Sequence, residues 1–146
     1  MRKLLTTTSL ILALATPALA EDITISMLNK RDDGAKMVYG KDIARIEVGD
    51  TITWTPDSKG HNVEFIAGPD GWESPAKSKL GKEFSYTFDT AGVYLYQCTP
   101  HKTMGMIAMV VVGDDMSNLD DIKSMKMRGK SKRKMKEILD HMHHSH

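Results

Sequence analysis

The run Val93-Tyr94-Leu95-Tyr96-Gln97-Cys98-Thr99-Pro100-His101-Lys102-Thr103-Met104-Gly105-Met106 passes without a break into Ile107-Ala108-Met109-Val110-Val111-Val112. Two β-patterned stretches flank a short loop that carries a cysteine, a histidine three residues later and a methionine five residues beyond that. Val93 to Gln97 is rich in β-branched and aromatic residues. Met106 to Val112 is near-continuously apolar, as expected of a strand buried on both faces. Thiolate, imidazole and thioether are soft or borderline donors, and together they suit copper better than calcium or magnesium. The stretch therefore predicts two strands whose connection holds most of a mononuclear metal site.

Upstream, the chain repeats the β signal. Ile23, Ile25 and Met27 alternate with Thr24 and Ser26, the period of a half-buried strand. Asn29 to Gly34 reads as a turn. Met37-Val38-Tyr39 and Ile43 to Val48 are further short strands, separated by Gly40-Lys41-Asp42. Gly49-Asp50 turns the chain into Thr51-Ile52-Thr53-Trp54-Thr55. His61 to Ile66 reads as a strand that begins with its polar residues. Ala67 to Gly81 is irregular, Glu83 to Phe88 alternates, and Asp89 to Gly92 turns back to Val93. Short strands at this spacing predict an all-β sandwich or barrel over residues 21–113.

The pattern changes after Gly113. Ser117 is placed to cap a helix whose first turn holds Asp120 and Asp121, at the positive end of the dipole. Leu119, Ile122 and Met125 share one helical face, and this helix is expected to lie on the sandwich. Gly129 is expected to end it. Ser131 is placed to cap a second helix, in which Met135, Ile138, Leu139 and Met142 recur at helical spacing. Residues 114–146 thus read as a helical extension with a His-rich tail at His141, His143, His144 and His146.

Residues 1–20 read as a signal peptide: Arg2 and Lys3, an apolar run around Leu10 to Leu14 too short to span a bilayer, and Ala18-Leu19-Ala20 before Glu21. An uncleaved anchor is the rival reading. Cleavage before Glu21 removes Arg2 and Lys3, shifting the formal charge from +1 to −1. Export argues against nucleic acid as a partner. The balance is uneven, since Lys123 to Lys136 contains eight basic residues and no acidic one. A solvated helical face or a docking charge is the expected reading of that run. Cys98 is the only cysteine. An exported, unpaired thiol is a liability unless it is buried or ligated, which strengthens its reading as a metal thiolate.

Two imidazoles and a thiolate in a trigonal plane with a weak axial thioether form a site that copper tolerates in both oxidation states. Cys98 supplies the thiolate and His101 one imidazole, on a loop stiffened by Pro100. Outside the tail the other histidine is His61, which also reads as an ordinary strand-end residue. Met106 is favoured as the axial sulfur because it adjoins the apolar strand, and Met104 competes for the position. Zinc prefers a closed tetrahedral set, so the methionine points to copper. A Cys98–His101 nucleophile and base is the hydrolytic alternative, but the pattern offers neither oxyanion donors nor a substrate pocket.

Lys59-Gly60-His61-Asn62-Val63, Cys98 through Met106, Met27-Leu28-Asn29-Lys30 and Gly49-Asp50-Thr51 resemble the pattern of the cupredoxins. The resemblance covers about Glu21 to Leu139 and leaves out the final residues. It implies a cupredoxin-like Greek-key β-sandwich of eight strands with two C-terminal α-helices. It also implies one type 1 copper per chain, held by His61, Cys98, His101 and Met106 and cycling between Cu(I) and Cu(II). Asn62 would pin the loop that carries Cys98. The implied activity is a periplasmic one-electron carrier rather than an enzyme. The implied partner is an acidic-faced redox protein, copper nitrite reductase or a cytochrome, with no nucleic acid and no stable membrane insertion, and the carrier itself a monomer. An edge of His101 is the natural electron exit, with Gly60, Pro100, Met104 and Gly105 as an apolar apron. Lys59 and Lys102, joined by Lys30, Lys77 and Lys79, would steer docking. The alternative is a periplasmic copper-trafficking or storage protein that uses the His- and Met-rich tail.

Overall fold

The computed structural model describes residues 19–143. Most of the expected signal peptide, residues 1–18, and the tail residues 144–146 lie outside them. The strands are β1 (Asp22–Lys30), β2 (Lys36–Tyr39), β3 (Ile43–Ile46), β4 (Thr51–Thr55), β5 (Glu64–Ala67), β6 (Phe84–Thr87), β7 (Gly92–Gln97) and β8 (Ile107–Val112). Two helices follow, α1 (Leu119–Ser124) and α2 (Lys130–His143). The strands form two four-stranded sheets, ordered β2-β1-β4-β6 and β3-β8-β7-β5. β1 pairs parallel with β4 and β3 parallel with β8, while the other pairings are antiparallel. This is the all-β sandwich that the strand pattern predicts.

The period-2 geometry of β7 and β8 divides the molecule into two cores. Tyr94, Tyr96, Ala108, Val110 and Val112 face the other sheet, where they meet Ile25, Met27, Ile52 and Trp54. Val93, Leu95, Ile107, Met109 and Val111 face the helices and meet Leu119, Ile122, Met135, Ile138 and Met142. Every residue of β8 is buried, because one face closes the sandwich and the other carries the helical layer. α2 is also tied at its polar edge, where Lys134 Nζ and Arg31 both contact the Asp42 carboxylate, at 2.6 and 3.0 Å.

Several boundaries differ from the sequence expectations. β1 continues through Asn29 to Lys30 instead of turning, and it pairs Lys30 with Lys36. His61 does not open a strand, since β5 starts at Glu64. The backbone at 61–63 is satisfied by side chains and loops: Tyr39 Oη donates to Asn62 O at 2.7 Å, and Val63 N donates to Ser78 Oγ at 2.8 Å. α1 begins after Asn118 rather than Ser117, and no side chain caps it. The Asn118 amide is taken by β7, accepting from Val93 N and donating to Val93 O. α1 ends at Ser124, well before Gly129, and Ser131 lies inside the first turn of α2 instead of capping it.

Candidate metal centre

Cys98 follows the last residue of β7, and a single 3-10 turn, Thr99–His101, reverses the chain. Pro100 suits the start of that turn because the first turn leaves N–H groups unused. The loop is closed at its neck by Cys98 N donating to Met106 O at 3.0 Å, which continues the β7–β8 ladder by one step. Inside it, His101 N donates to Cys98 O at 3.1 Å and His101 O accepts from Met104 N at 2.9 Å. Forty residues upstream in sequence, the 61–63 segment lies beside this loop.

Three donor atoms converge. His61 Nδ1 and His101 Nδ1 are 3.1 Å apart, and Cys98 Sγ lies 3.8 Å from the first and 3.4 Å from the second. Among the described residues, His61, Cys98 and His101 form the one group of three or more His, Cys, Asp or Glu side chains arranged to hold a metal ion. Metal–nitrogen and metal–sulfur bonds of about 2.0–2.3 Å leave such donors roughly 3–4 Å apart, so the triangle fits one ion. The donor set is two imidazoles and a thiol without a carboxylate, which fits a soft or borderline metal. Met106 is fully buried in the same core as Cys98, whereas Met104 is 42% exposed.

The surroundings fix these atoms. His61 Nε2 lies 2.8 Å from Asn29 Oδ1. The amide oxygen can only accept, so Nε2 carries the proton and Nδ1 presents its lone pair to the triangle. Burial, and after it the neighbouring His101 ring, push the His61 imidazole below its ordinary value. Burial pushes the Cys98 thiol up, and hydrogen bonding from the backbone of Asn62 and His101 opposes it. The Asn62 side chain bridges two loops: Oδ1 accepts from Thr99 N at 2.8 Å, and Nδ2 donates to Thr99 Oγ1 at 3.0 Å and to Ser78 O at 3.2 Å. Thr99 Oγ1 in turn donates to Glu64 Oε2 at 2.8 Å, which also accepts from Gln97 Nε2.

Helix α2 reaches the same loop from the outside. Ser131, fully buried, donates its hydroxyl to Lys102 O, and Lys130 N donates to Thr103 O at 2.9 Å. Gly129 has φ +59° and packs on Thr103 O so closely that a Cβ would collide with it. The sequence expectations missed Asn29, Ser131 and the exposed Leu80. Asn29 was legible in principle, because it shares the inward parity of Ile25 and Met27. Lys77, Lys79, Leu80, Asn62, Thr99 and Pro100 line one hollow beside the centre. Of the tail histidines, His141 and His143 lie in the last turn of α2, while His144 and His146 lie outside the described residues.

Residues 25–113 match the model of a family described as copper binding proteins, plastocyanin/azurin family. The chain is 43% identical over 128 residues to a pseudoazurin of Methylorubrum extorquens, covering 85% of each sequence. It is likewise 43% identical over 127 residues to the pseudoazurin of Paracoccus pantotrophus, covering 86% of each. Its fold is similar to the crystal structure of pseudoazurin from Methylobacterium extorquens AM1, with a TM-score of 0.78 at 37% identity over 84% of this chain and 99% of that one. Pseudoazurin from Hyphomicrobium denitrificans gives a TM-score of 0.76 at 34% identity, covering 82% and 98%. The chain belongs to the plastocyanin/azurin family of copper-binding, electron-transferring proteins, within its pseudoazurin group.

Proposed function

We propose that this chain is a periplasmic one-electron carrier in which His61, Cys98, His101 and Met106 hold one copper ion. Bound copper supplies a single electron reversibly, because two imidazoles, a thiolate and a thioether tolerate both of its oxidation states. The protein's part is to hold the donors in place and to admit a partner at one edge. The observation that carries the reading is the unequal burial of the donors. His61 and Cys98 are fully buried, while His101 keeps part of its surface in solvent. That edge is the proposed electron path.

Around it, Met104, Pro100 and Leu80 present an apolar rim, the last with 57% exposure. Gly60 and Gly105 complete the proposed apron. A small apolar rim of this kind suits a brief encounter. Burial alone would raise the Glu64 carboxyl, but the hydrogen bonds from Gln97 and Thr99 outweigh it, with smaller help from Lys77 and Lys102, and hold it below its ordinary value. Lys59, Lys79 and Lys30 extend this basic surface. The proposed partner is an acidic-faced redox protein, a nitrite reductase or a cytochrome.

Export rests on the signal reading of residues 1–20, with residues 21–113 as the copper domain and 114–146 as its helical extension. Glu21 N donates to Asp50 Oδ1 at 2.7 Å. Cleavage before Glu21 turns that nitrogen into an ammonium and the hydrogen bond into an ion pair. No helix among the described residues is long and apolar enough to cross a membrane.

Stopped-flow mixing of the reduced, copper-loaded protein with an oxidised acidic cytochrome tests the function. One electron per chain should transfer, at a rate that falls as salt rises and falls further in Lys102→Glu. Absence of transfer would overturn the carrier reading, and a salt-independent rate would remove the lysines from docking.

A further inference from the structure

Away from the metal centre, a hollow of about 640 Å³ is bounded by the end of α1, the 125–127 segment and α2. That volume falls within the roughly 300–1,000 Å³ typical of small-ligand sites. It also lies wholly outside residues 25–113, the part matched by the family model. The floor is apolar: Met125, Met127, Met135 and Leu139 line it. Methionine is flexible and polarizable, so such a floor adapts to chains of differing shape. The rim is basic, with Lys126, Lys132 and Lys136 against a single acidic lining residue, Asp140, while Lys123 is paired to Asp120 at 3.0 Å.

Charge and shape select among the possible occupants. Three thioethers and His143 line the same hollow, but the surrounding ammonium groups repel a metal cation. A bilayer requires apolar side chains that project outward. Here Met135 is only 5% exposed, Met125 and Met127 are half-buried, and none of the floor residues is among the large exposed hydrophobics. A concave apolar floor under a cationic rim fits a molecule that inserts a tail and leaves an anionic head at the mouth. We propose that this recess binds a monomeric anionic amphiphile, a single-chain carboxylate of the fatty-acid class.

The test uses the full, copper-loaded chain with 13C-labelled methionine methyls, titrated with dodecanoate below its micelle concentration and followed by NMR. One molecule should bind per chain, with saturable shifts at Met125, Met127 and Met135 and none at Met104. Lys126→Glu/Lys132→Glu should weaken binding by at least about tenfold, the loss expected from a single charge-assisted contact. These lysines are exposed, and an unchanged visible band from the copper site verifies that the variant is folded. Equal binding of dodecyltrimethylammonium would overturn the proposal, since it would show that charge plays no part. So would the absence of saturable binding, shifts spread over Met104, or binding to phosphatidylglycerol vesicles without binding of the monomer.

Discussion

Asn29 decides which nitrogen of His61 faces the metal. Its amide oxygen, 2.8 Å from Nε2, fixes the tautomer and leaves Nδ1 free to ligate. Partners of this kind orient ligating imidazoles, and their loss typically costs about 10–100-fold in metal affinity. Asn29→Leu removes the acceptor from an exposed position at the end of β1, so the fold should survive. Copper affinity, measured by competition with a chelator, should fall by about that factor. An unchanged affinity would show that packing alone orients the ring. Asn62 works differently. It sets no tautomer but links the 61–63 segment to Thr99 and to Ser78 through three hydrogen bonds. Met104 and Met106 also separate cleanly, one solvent-facing and the other buried in the core beside Cys98. The sequence order favours Met106 for the axial role with Met104 as its rival, and the two differ in burial in the sense that preference expects.

At the scale of elements, α2 acts as a brace for the loop between His101 and Met106. Ser131 and Lys130 hold the carbonyls of Lys102 and Thr103, the two residues that follow His101. Ser131→Ala leaves the Lys102 carbonyl without that partner and should destabilise the protein by about 1–3 kcal/mol. It should also shift the visible spectrum of the copper-loaded form, which a purely structural contact would not do. Ser124→Ala, at an exposed position of α1, should change neither. Gly129→Ala should cost at least about 1 kcal/mol, because φ +59° and the Thr103 carbonyl both exclude a Cβ. A Ser131→Ala variant with unshifted spectrum and stability would remove the brace from the account. The brace was not legible in the sequence, because a serine before a helical run reads equally well as a cap. Its true partner lies 29 residues away. The same holds for residues 61–63. Their polar backbone groups are satisfied by Tyr39 and Ser78, so the segment has no need of a strand partner. Two long elements were legible locally. The unbroken apolar run of β8 announced two buried faces, and the spacing of Met135, Ile138 and Met142 announced the helix that covers one of them.

Across the whole molecule, charge governs stability as well as docking. Burial alone would raise the Asp42 carboxyl, but Arg31 and Lys134 outweigh it and hold it below its ordinary value. Backbone N–H groups of Glu21 and Glu47 do the same for Asp50. A carboxylate whose folded value is depressed contributes stability above its unfolded value, near about 3.9, and loses it as pH falls through the folded value. Urea midpoints of the copper-free protein should therefore begin to fall below about pH 6.5, where the depressed His61 takes up its proton in the unfolded chain, and fall more steeply below about pH 4 as the carboxylates are protonated. Asp42→Asn should lower the plateau and flatten the acid slope, and an unaltered slope would exclude Asp42 from it. The most direct test of the account is the visible absorption spectrum of the copper-loaded protein, recorded with its metal content and compared with Cys98→Ala. The account predicts one copper per chain and an intense thiolate-to-copper charge-transfer band that vanishes in Cys98→Ala. A band of equal strength in Cys98→Ala, or a colourless protein with several bound copper ions, would contradict it.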